Sequence, residues 1–536
     1  MVSQLSYQSA RDGYYDVCRI PTHRNRLTLS MNSSLRPGKI SGYLLAFLAS
    51  VVLLVGLVGL LAWDPQKWFA RDKPAEPLVV YCAAGLRAPV EAVAKEYEAA
   101  YGVPVQLQYG GSQTLLAGIE VSRRGDLYIP ADESYLTTAR DKGLIDEAIP
   151  LARMAPVLVV RQGNPKNLRT IDDLLKPGVR VAQGNPDATA IGSLTRDALR
   201  KSGQWDALNG HTAVFKMTVN DVANDVQVGA ADAGIVWDST IRQIPNLEAI
   251  SLPQFSGVRA HITAAVLRDT SNPTAALKFA RFLAARDRGL PQFAANGFEP
   301  IEGDVWVEEP ELKLLAGAML RPAVEETITA FEKREGVKVT RVYNGCGILV
   351  AQMKAGERPD AYFACDKSFM DEVADLVTDQ RDVSTNQLVI LVHKGNPHGV
   401  KTLIDLGKPG LRIGIGHEKQ CALGVLTQKT FQEGGVQEQV MKNVMVQVPT
   451  GDMLVNQLRT GSLDAVVAYV SNAVPAADQL EAIAIDIPCA LAVQPVAAGK
   501  DSQHRQLTGR LTAALRSAES QSRFEANGFH WLPVKK

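Results

Sequence analysis

Apolar residues along the chain follow two spacings that alternate. Short apolar runs such as Leu78 to Cys82 and Val105 to Tyr109 are typical of buried strands, and each precedes a segment with apolar residues at helical spacing. Gly102 follows the first helical segment, at a position that suits a helix C-cap. Strands that alternate with helices predict βαβ units, so we expect an α/β fold with a mainly parallel sheet.

This alternating pattern occurs twice. The segment YGGSQTLL begins at Tyr109 and a related segment, YNGCGIL, begins at Tyr343; each follows a strand-like run and precedes a helical pattern. Matching residues lie 234, 232 and 231 positions apart in the pairs Arg87 and Arg321, Gly192 and Gly424, and Gly297 and Gly528. So small a drift indicates a tandem duplication. A Gly-rich turn before a helix also leaves backbone N–H groups unpaired, which attract an anion.

A longer apolar run lies near the N-terminus. Residues 40–63 carry no charge and are long enough to cross about 30 Å of hydrocarbon, so they predict a transmembrane helix or uncleaved signal anchor. We expect residues 1–39 to be disordered and residues 64–77 to form a linker. Basic residues before the run favour a cytoplasmic N-terminus. The prediction is a single-pass protein of the cell membrane with its bulk extracytoplasmic, on the periplasmic side.

The two copies account for the rest of the chain. Each is long enough for one or two compact lobes. We predict module 1 over residues 78–300, a short acidic connector over residues 301–311, and module 2 over residues 312–536.

Composition excludes several classes of function. The 536 residues carry a formal net charge of zero, so we expect no nucleic-acid partner held by bulk charge. The chain lacks a G-x-S-x-G elbow, an H-E-x-x-H pair, a Walker loop and a C-x-x-C pair, so we predict neither an enzyme nor a bound cofactor. Six cysteines are too few for a disulfide scaffold, and four of them lie in module 2: Cys346, Cys365, Cys421 and Cys489.

The motifs, taken in order, resemble the molybdate-binding component of ABC importers, a type II periplasmic binding protein. The resemblance covers nearly all of each copy. In module 1 it rests on an AA-x-L turn at Ala83, YGGSQTLL, GDLYIPAD, the GNPDATAIG loop and ADAGIVWDS. It implies that two α/β lobes in each module close over a tetrahedral oxyanion such as molybdate or tungstate, for delivery to an ABC permease in the cytoplasmic membrane. The expected hinges are Ala155 and Val266 in module 1, and Gln387 and Leu491 in module 2.

The resemblance also implies ligand-binding residues in module 1. Ser112 would donate its hydroxyl, and the other expected positions are Gly85, Ile191, Val222 and Trp237. Gly85 stands where the family has a serine, and Trp237 stands where it usually has a tyrosine. Losing one hydroxyl hydrogen bond to a charged ligand weakens the free energy of binding by roughly 1.5 to 3 kcal/mol.

Module 2 departs further from the family. Its matching positions are Met319, Cys346, Leu423, Met453 and Tyr469, and Cys421 lies in the loop that faces the anion in the family. Thiolates and thioethers select soft ions such as Cu(I). A metal site formed by Cys346, Cys421, Met319 and Met453 is therefore one hypothesis. The alternatives are a redox-active ligand, a degenerate copy held shut by a disulfide, and buried cysteines that only pack.

Two further expectations concern the whole chain and its repeated carboxylates. A membrane-tethered ligand sensor is the alternative to an importer component. Asp126 and Asp360 recur in both copies, as do Asp132 and Asp366. Because a carboxylate repels an anion, we expect all four to hydrogen-bond turns instead.

Overall fold

The structure is a computed structural model that describes residues 76–533. The predicted disordered segment 1–39, the predicted membrane segment 40–63 and most of the predicted linker lie outside the described residues. Within residues 76–533, none of the helices combines the length and the apolar character needed to cross a membrane.

Module 1 alternates strands and helices as the apolar pattern predicts. Its elements in chain order are β1 (Leu78–Ala83), α1 (Arg87–Tyr101), β2 (Val105–Gly110), α2 (Ser112–Ser122), β3 (Leu127–Ile129), α3 (Ser134–Asp141), β4 (Ile145–Met154), β5 (Pro156–Arg161), α4 (Ile171–Leu174), β6 (Val181–Gly184), α5 (Ala190–Lys201), α6 (Trp205–His211), β7 (Thr212–Lys216), α7 (Val219–Gln227), β8 (Ala233–Trp237), α8 (Asp238–Gln243), β9 (Leu247–Ile250), β10 (Ala260–Leu267), α9 (Pro273–Leu283), α10 (Gly289–Ala295) and β11 (Glu299–Pro300).

Two sheets divide module 1 into two lobes. In the described part of the chain, lobe 1A is built on a six-stranded sheet in the order β11-β4-β10-β3-β1-β2, and lobe 1B on a five-stranded sheet in the order β7-β6-β8-β5-β9. Strand β1 pairs in parallel with β2 and β3, but β10 pairs antiparallel with β3 and β4. Both sheets are therefore mixed, and the expectation of mainly parallel pairing holds only for the βαβ segments. Strand β10 returns from lobe 1B and enters the sheet from the opposite direction.

The lobes of module 1 are joined by two crossings. The chain passes from β4 to β5 at Ala155, which confirms that predicted crossing. Val266 is wrong as the return point, because it lies inside β10 and pairs with Leu127 of the same sheet. The return crossing lies between β9 and β10, over residues 251–259.

Module 2 repeats the same plan. Its elements are β12 (Glu311–Gly317), α11 (Arg321–Glu335), β13 (Lys338–Asn344), α12 (Cys346–Lys354), β14 (Ala361–Phe363), α13 (Lys367–Asp371), β15 (Val377–His393), β16 (Ile413–Gly416), α14 (Ala422–Glu433), α15 (Gln437–Met441), β17 (Val444–Val448), α16 (Gly451–Arg459), β18 (Ala465–Tyr469), α17 (Val470–Ala473), β19 (Leu480–Ala484), β20 (Leu491–Gly499), α18 (Arg505–Ala514), α19 (Ala518–Ala526) and β21 (His530–Trp531).

One long strand links the two lobes of module 2. The first part of β15 pairs with β20 in lobe 2A, and its last part pairs with β18 and β19 in lobe 2B. Gln387 pairs with Leu491 at the point where β15 changes partners, so the chain passes between the lobes at both expected hinge positions. In module 1 the equivalent strand is interrupted at Ala155, whose N–H donates to Asp238 Oδ1 at 3.1 Å.

The repeated carboxylates hold the backbone, as expected. Asp126 accepts the N–H of Val79 at 2.8 Å, and Asp360 accepts the N–H of Lys313 at the same distance. Asp132 and Asp366 each accept an N–H two residues ahead, at 3.0 Å. These four side chains are committed to the fold of lobes 1A and 2A.

A buried ion-pair cluster joins the modules through lobes 1A and 2A. Glu335 of α11 is 2% exposed and lies between Arg281 of α9 and Arg510 of α18. The nearest contacts of its carboxylate are 3.1 Å to Arg281 Nη1 and 2.6 Å to Arg510 Nε. A buried carboxylate with two guanidinium partners has a fixed geometry, so this cluster holds lobes 1A and 2A against each other.

Candidate ligand-binding clefts

The turn between β2 and α2 lies where the two lobes of module 1 meet. A Cβ atom on Gly111 would lie 2.6 Å from the carbonyl oxygen of Ala188 and 2.8 Å from that of Met217, both in lobe 1B. The N–H of Gln113 donates across the cleft to the Ala188 carbonyl at 3.2 Å. Glycine is therefore required at position 111 for backbone to approach backbone, and the lobes are closed on each other.

A small cavity lies beside this turn. Its volume, counted as the space that the centre of a water-sized sphere can occupy, is about 20 Å³. This size suits a small ion rather than a sugar or peptide. It is lined by Ala83, Ala84, Gly85, Gly110, Gly111, Ser112, Ala131, Thr189, Ala190, Ile191, Thr218, Val219 and Trp237. No charged side chain is among these lining residues.

Four of the five predicted module 1 residues meet at this cavity: Gly85, Ser112, Ile191 and Trp237. Val222 does not line it. Helix α7 begins at Val219, immediately after its cap Thr218, so the first turn of the helix faces the cleft. Val222 lies three residues further along the helix and is fully buried in the core of lobe 1B.

Helix N-termini surround the cavity. Helices α2, α5 and α7 begin there, and the short turn Ala84–Leu86 leads into α1. Thr189 and Thr218 cap α5 and α7 by accepting the N–H groups of Gly192 and Asp221 at 3.1 and 3.2 Å. These caps leave the first two N–H groups of each helix without a helical partner. The cavity therefore offers neutral donors and the positive ends of helix dipoles to a negative charge.

Ser112 is the hydroxyl donor of the cavity. It is 1% exposed, and its Oγ accepts the N–H of Ala131 at 3.1 Å. Within the described residues its O–H donates to no protein group, so the proton is available to a ligand. Sequence reasoning missed the two capping threonines, although a threonine directly before a helical pattern is a recognisable N-cap signal.

Gly85 and Trp237 pack as a pair. A Cβ atom on Gly85 would lie 3.0 Å from Val219 Cγ1 and 3.4 Å from Trp237 Cδ1. A Cβ atom at position 85 would thus crowd Val219 and contact the indole, which is 1% exposed, so a larger side chain there would press on both.

The module 2 cleft keeps the backbone of module 1 and replaces oxygen with sulfur. Cys346 begins α12 as Ser112 begins α2. Its Sγ accepts the N–H of Cys365 at 3.1 Å, just as Ser112 Oγ accepts that of Ala131. Both cysteines are buried, and the hydrogen bond with Cys346 together with burial raises the pKa of the Cys365 thiol well above its usual value.

Cys421 takes the place of Thr189 as the residue before a helix. Its thiol donates to the carbonyl oxygens of His417 and Val448, each at 3.6 Å. Burial raises the pKa of this thiol to about 11. Cys421 is therefore engaged with the backbone of lobe 2B.

Tyr469 occupies the position of Trp237 at the end of the matching strand. It is 2% exposed, and its hydroxyl has no hydrogen-bond partner within the described residues. Burial, with smaller contributions from Cys365 and Asp366, raises the pKa of this phenol well above its usual value. A buried hydroxyl without a partner is a donor in need of an acceptor.

Met319, Leu423 and Met453 complete the predicted module 2 set, and only the first two are buried. Met453 is 44% exposed. Thr218 and Thr450 precede matching helices at an offset of 232, so Met453 corresponds to Asp221 and Leu454 to Val222. The sequence match at this position was therefore wrong by one residue.

The structure also bears on the metal and disulfide hypotheses. Cys346, Cys365 and Cys421 are free thiols, so no disulfide among them holds the module shut. In residues 76–533, no group of three or more His, Cys, Asp and Glu side chains is arranged to hold a metal ion.

Comparison with known proteins assigns the family. The sequence profile of a family described as bacterial extracellular solute-binding protein matches the chain twice, over residues 78–299 and 312–530. The chain belongs to this family. The double match confirms the tandem duplication, and the family description agrees with an extracytoplasmic location for the bulk of the chain.

Relatives of this solute-binding protein include proteins named as molybdate-binding. The chain is similar to the molybdate-binding protein ModA of Mycobacterium tuberculosis, with 28% identity over 242 residues, covering 44% of this chain and 91% of the relative. It is also similar to ModA of Escherichia coli, with 28% identity over 205 residues, covering 37% and 79%. A solved structure, the periplasmic molybdate-binding protein of Azotobacter vinelandii, matches with 18% identity and a TM-score of 0.37, covering 42% of this chain and all of that one.

Proposed function

We propose that this chain is an extracytoplasmic solute-binding protein that captures a small oxyanion, such as molybdate or tungstate, in the cleft of module 1. It delivers the ion to an ABC permease in the cytoplasmic membrane, and residues 40–63 anchor it there. The observation that carries the proposal is the convergence of helix N-termini and the Ser112 hydroxyl on a small cavity lined by no charged side chain. The similarity to proteins named as molybdate-binding supports the choice of ion.

The chemistry of the lining favours a fully ionised anion. Backbone N–H groups can only donate, Ser112 Oγ already accepts the N–H of Ala131 and has its O–H left for a ligand, and the lining includes no carboxylate that could accept a proton from the ligand. A tetrahedral dianion without a proton satisfies every donor. A protonated phosphate presents one O–H to a site of donors, which leaves that group unpaired and costs affinity. We expect molybdate, tungstate and sulfate to bind more tightly than phosphate.

A pair of matched variants tests this proposal. Ser112→Ala removes the hydroxyl donor from module 1, and Cys346→Ala removes the equivalent side chain from module 2. Since a hydrogen bond to a charged group contributes about 1.5 to 3 kcal/mol, Ser112→Ala should weaken molybdate binding roughly 10- to 150-fold. Cys346→Ala should leave it unchanged. Isothermal titration of the full chain measures both.

The opposite pattern would contradict the proposal. If Cys346→Ala weakens molybdate binding and Ser112→Ala does not, the oxyanion site lies in module 2. If the wild-type chain binds none of the four anions, oxyanion capture by this protein is wrong.

A further inference from the structure

The module 2 cleft brings two thiols together on lobe 2A. A Cβ atom built on Gly317 would overlap Cys365 Sγ and lie 3.1 Å from Cys346 Sγ. The two sulfurs are therefore separated by at most about 5 Å, and the span of two metal–sulfur bonds of about 2.3 Å placed end to end falls within that limit. One soft cation can thus reach both thiolates.

We infer that module 2 binds one monovalent thiophilic cation, of the Cu(I) class, between Cys346 and Cys365. Thiolates select soft cations over hard ones. On binding, each S–H bond breaks and its proton passes to solvent, each sulfur forms one bond to the metal, and no electron is transferred. The product, one cation with two thiolates, carries a net charge of minus one.

The inherited scaffold stabilises that negative charge. Cys346 is the first residue of α12, so the positive end of the helix dipole lies at its sulfur. Helices α14 and α16 begin in module 2 where α5 and α7 begin in module 1. The unpartnered Tyr469 hydroxyl supplies a further donor. A cleft arranged for an external anion thus suits an anion formed within it by metal binding.

Two other sulfur atoms of the predicted site are poorly placed as ligands. The Cys421 thiol is held by two backbone carbonyls of lobe 2B, and Met453 is exposed. A site with two protein ligands agrees with the finding that, in residues 76–533, side chains form no metal-binding group of three or more.

The chain itself supplies the variants for a test. Cys346→Ser and Cys365→Ala each introduce the residue that module 1 has at the same position, Ser112 and Ala131. Cys82→Ala is the matched control, because Cys82 is a buried cysteine whose counterpart in module 2 is Ala316. The reduced, metal-free full chain is titrated with Cu(I) without oxygen, in competition with a chromogenic Cu(I) chelator.

The expected result is one Cu(I) equivalent per wild-type chain, retained in Cys82→Ala and Cys421→Thr and lost in Cys346→Ser and Cys365→Ala. Retention in the last two variants overturns the inference, as does a wild-type chain that binds no Cu(I), or loss in Cys421→Thr. X-ray absorption at the copper edge of the wild-type complex gives a test that needs no variant. Two sulfur neighbours support the site, and nitrogen or oxygen neighbours overturn it.

Discussion

The two modules share one scaffold and differ in the atoms that line their clefts. At equivalent positions module 1 has Ser112, Thr189 and Trp237, and module 2 has Cys346, Cys421 and Tyr469. One contact to the backbone is kept, since Ser112 Oγ and Cys346 Sγ each accept one N–H at 3.1 Å. Separate residues therefore specify the fold and the ligand. Glycines, caps and buried strands set the closed cleft, and a few side chains at helix starts set its chemistry.

The largest expected effect follows from preventing closure of one module. Gly111→Val would drive a branched side chain into the carbonyls of Ala188 and Met217, so lobe 1B could no longer approach the turn. We expect loss of measurable molybdate binding by isothermal titration. The matched control is Gly345→Val, whose side chain would meet the carbonyls of Gln420 and Pro449 and keep the lobes of module 2 apart. It should leave molybdate binding intact. Binding that survives Gly111→Val would mean that the module 1 cleft is not the site.

The buried ion-pair cluster that joins the modules predicts a large effect on stability. Glu335→Gln removes the carboxylate between Arg281 and Arg510 and leaves two buried guanidinium groups without a counter-charge. We expect the free energy of unfolding to fall by about 3 to 5 kcal/mol in chemical denaturation. Glu308→Gln, which breaks an exposed pair with Lys278, should cost less than about 1 kcal/mol. Equal effects of the two substitutions would contradict a stabilising buried ion-pair cluster between the modules.

A smaller effect is expected at the contact between Gly85 and Trp237. Gly85→Ser alone places a Cβ atom against Val219 and the indole, so we expect molybdate binding to weaken about tenfold. Adding Trp237→Tyr replaces the indole with a smaller ring and should recover part of the loss, giving a favourable coupling in a double-mutant cycle. Titration of the two single variants and the double variant measures this coupling, and simple additivity would contradict the steric account.

The smallest expected effect is that of pH on module 1. No titratable side chain lines its cavity, so the affinity for sulfate should stay within about twofold between mildly acidic and mildly alkaline conditions. A titration series in buffers of different pH checks this. A steep change would indicate a titratable contact to the ligand.

The sequence alone allowed prediction of most of the fold, because the duplication fixes the register of one copy against the other. Gly85, Ser112, Ile191 and Trp237 do meet at one cavity. Met453 was misplaced because the offset between the copies changes along the chain and a one-residue error rotates a helical position by about 100°. Val222 was misplaced because the sequence does not show that α7 begins with Val219 at the cavity and buries Val222 in the core.

Other features depend on tertiary structure and could not be predicted from periodicity. The direction in which β10 enters its sheet is set by its return from lobe 1B. The proximity of Cys346 and Cys365 depends on how the loops after β13 and β14 pack on Gly317. The contact between Gly85 and the Trp237 indole is visible only when both residues are placed in the closed cleft.

The most direct test of the account is the stoichiometry of molybdate binding to the full chain by isothermal titration. We expect one molybdate per chain, because module 1 presents a hydroxyl and module 2 presents thiols at the same position. Two equivalents per chain would show that the sulfur-lined cleft binds the oxyanion as well, and would contradict the division of ligands between the modules.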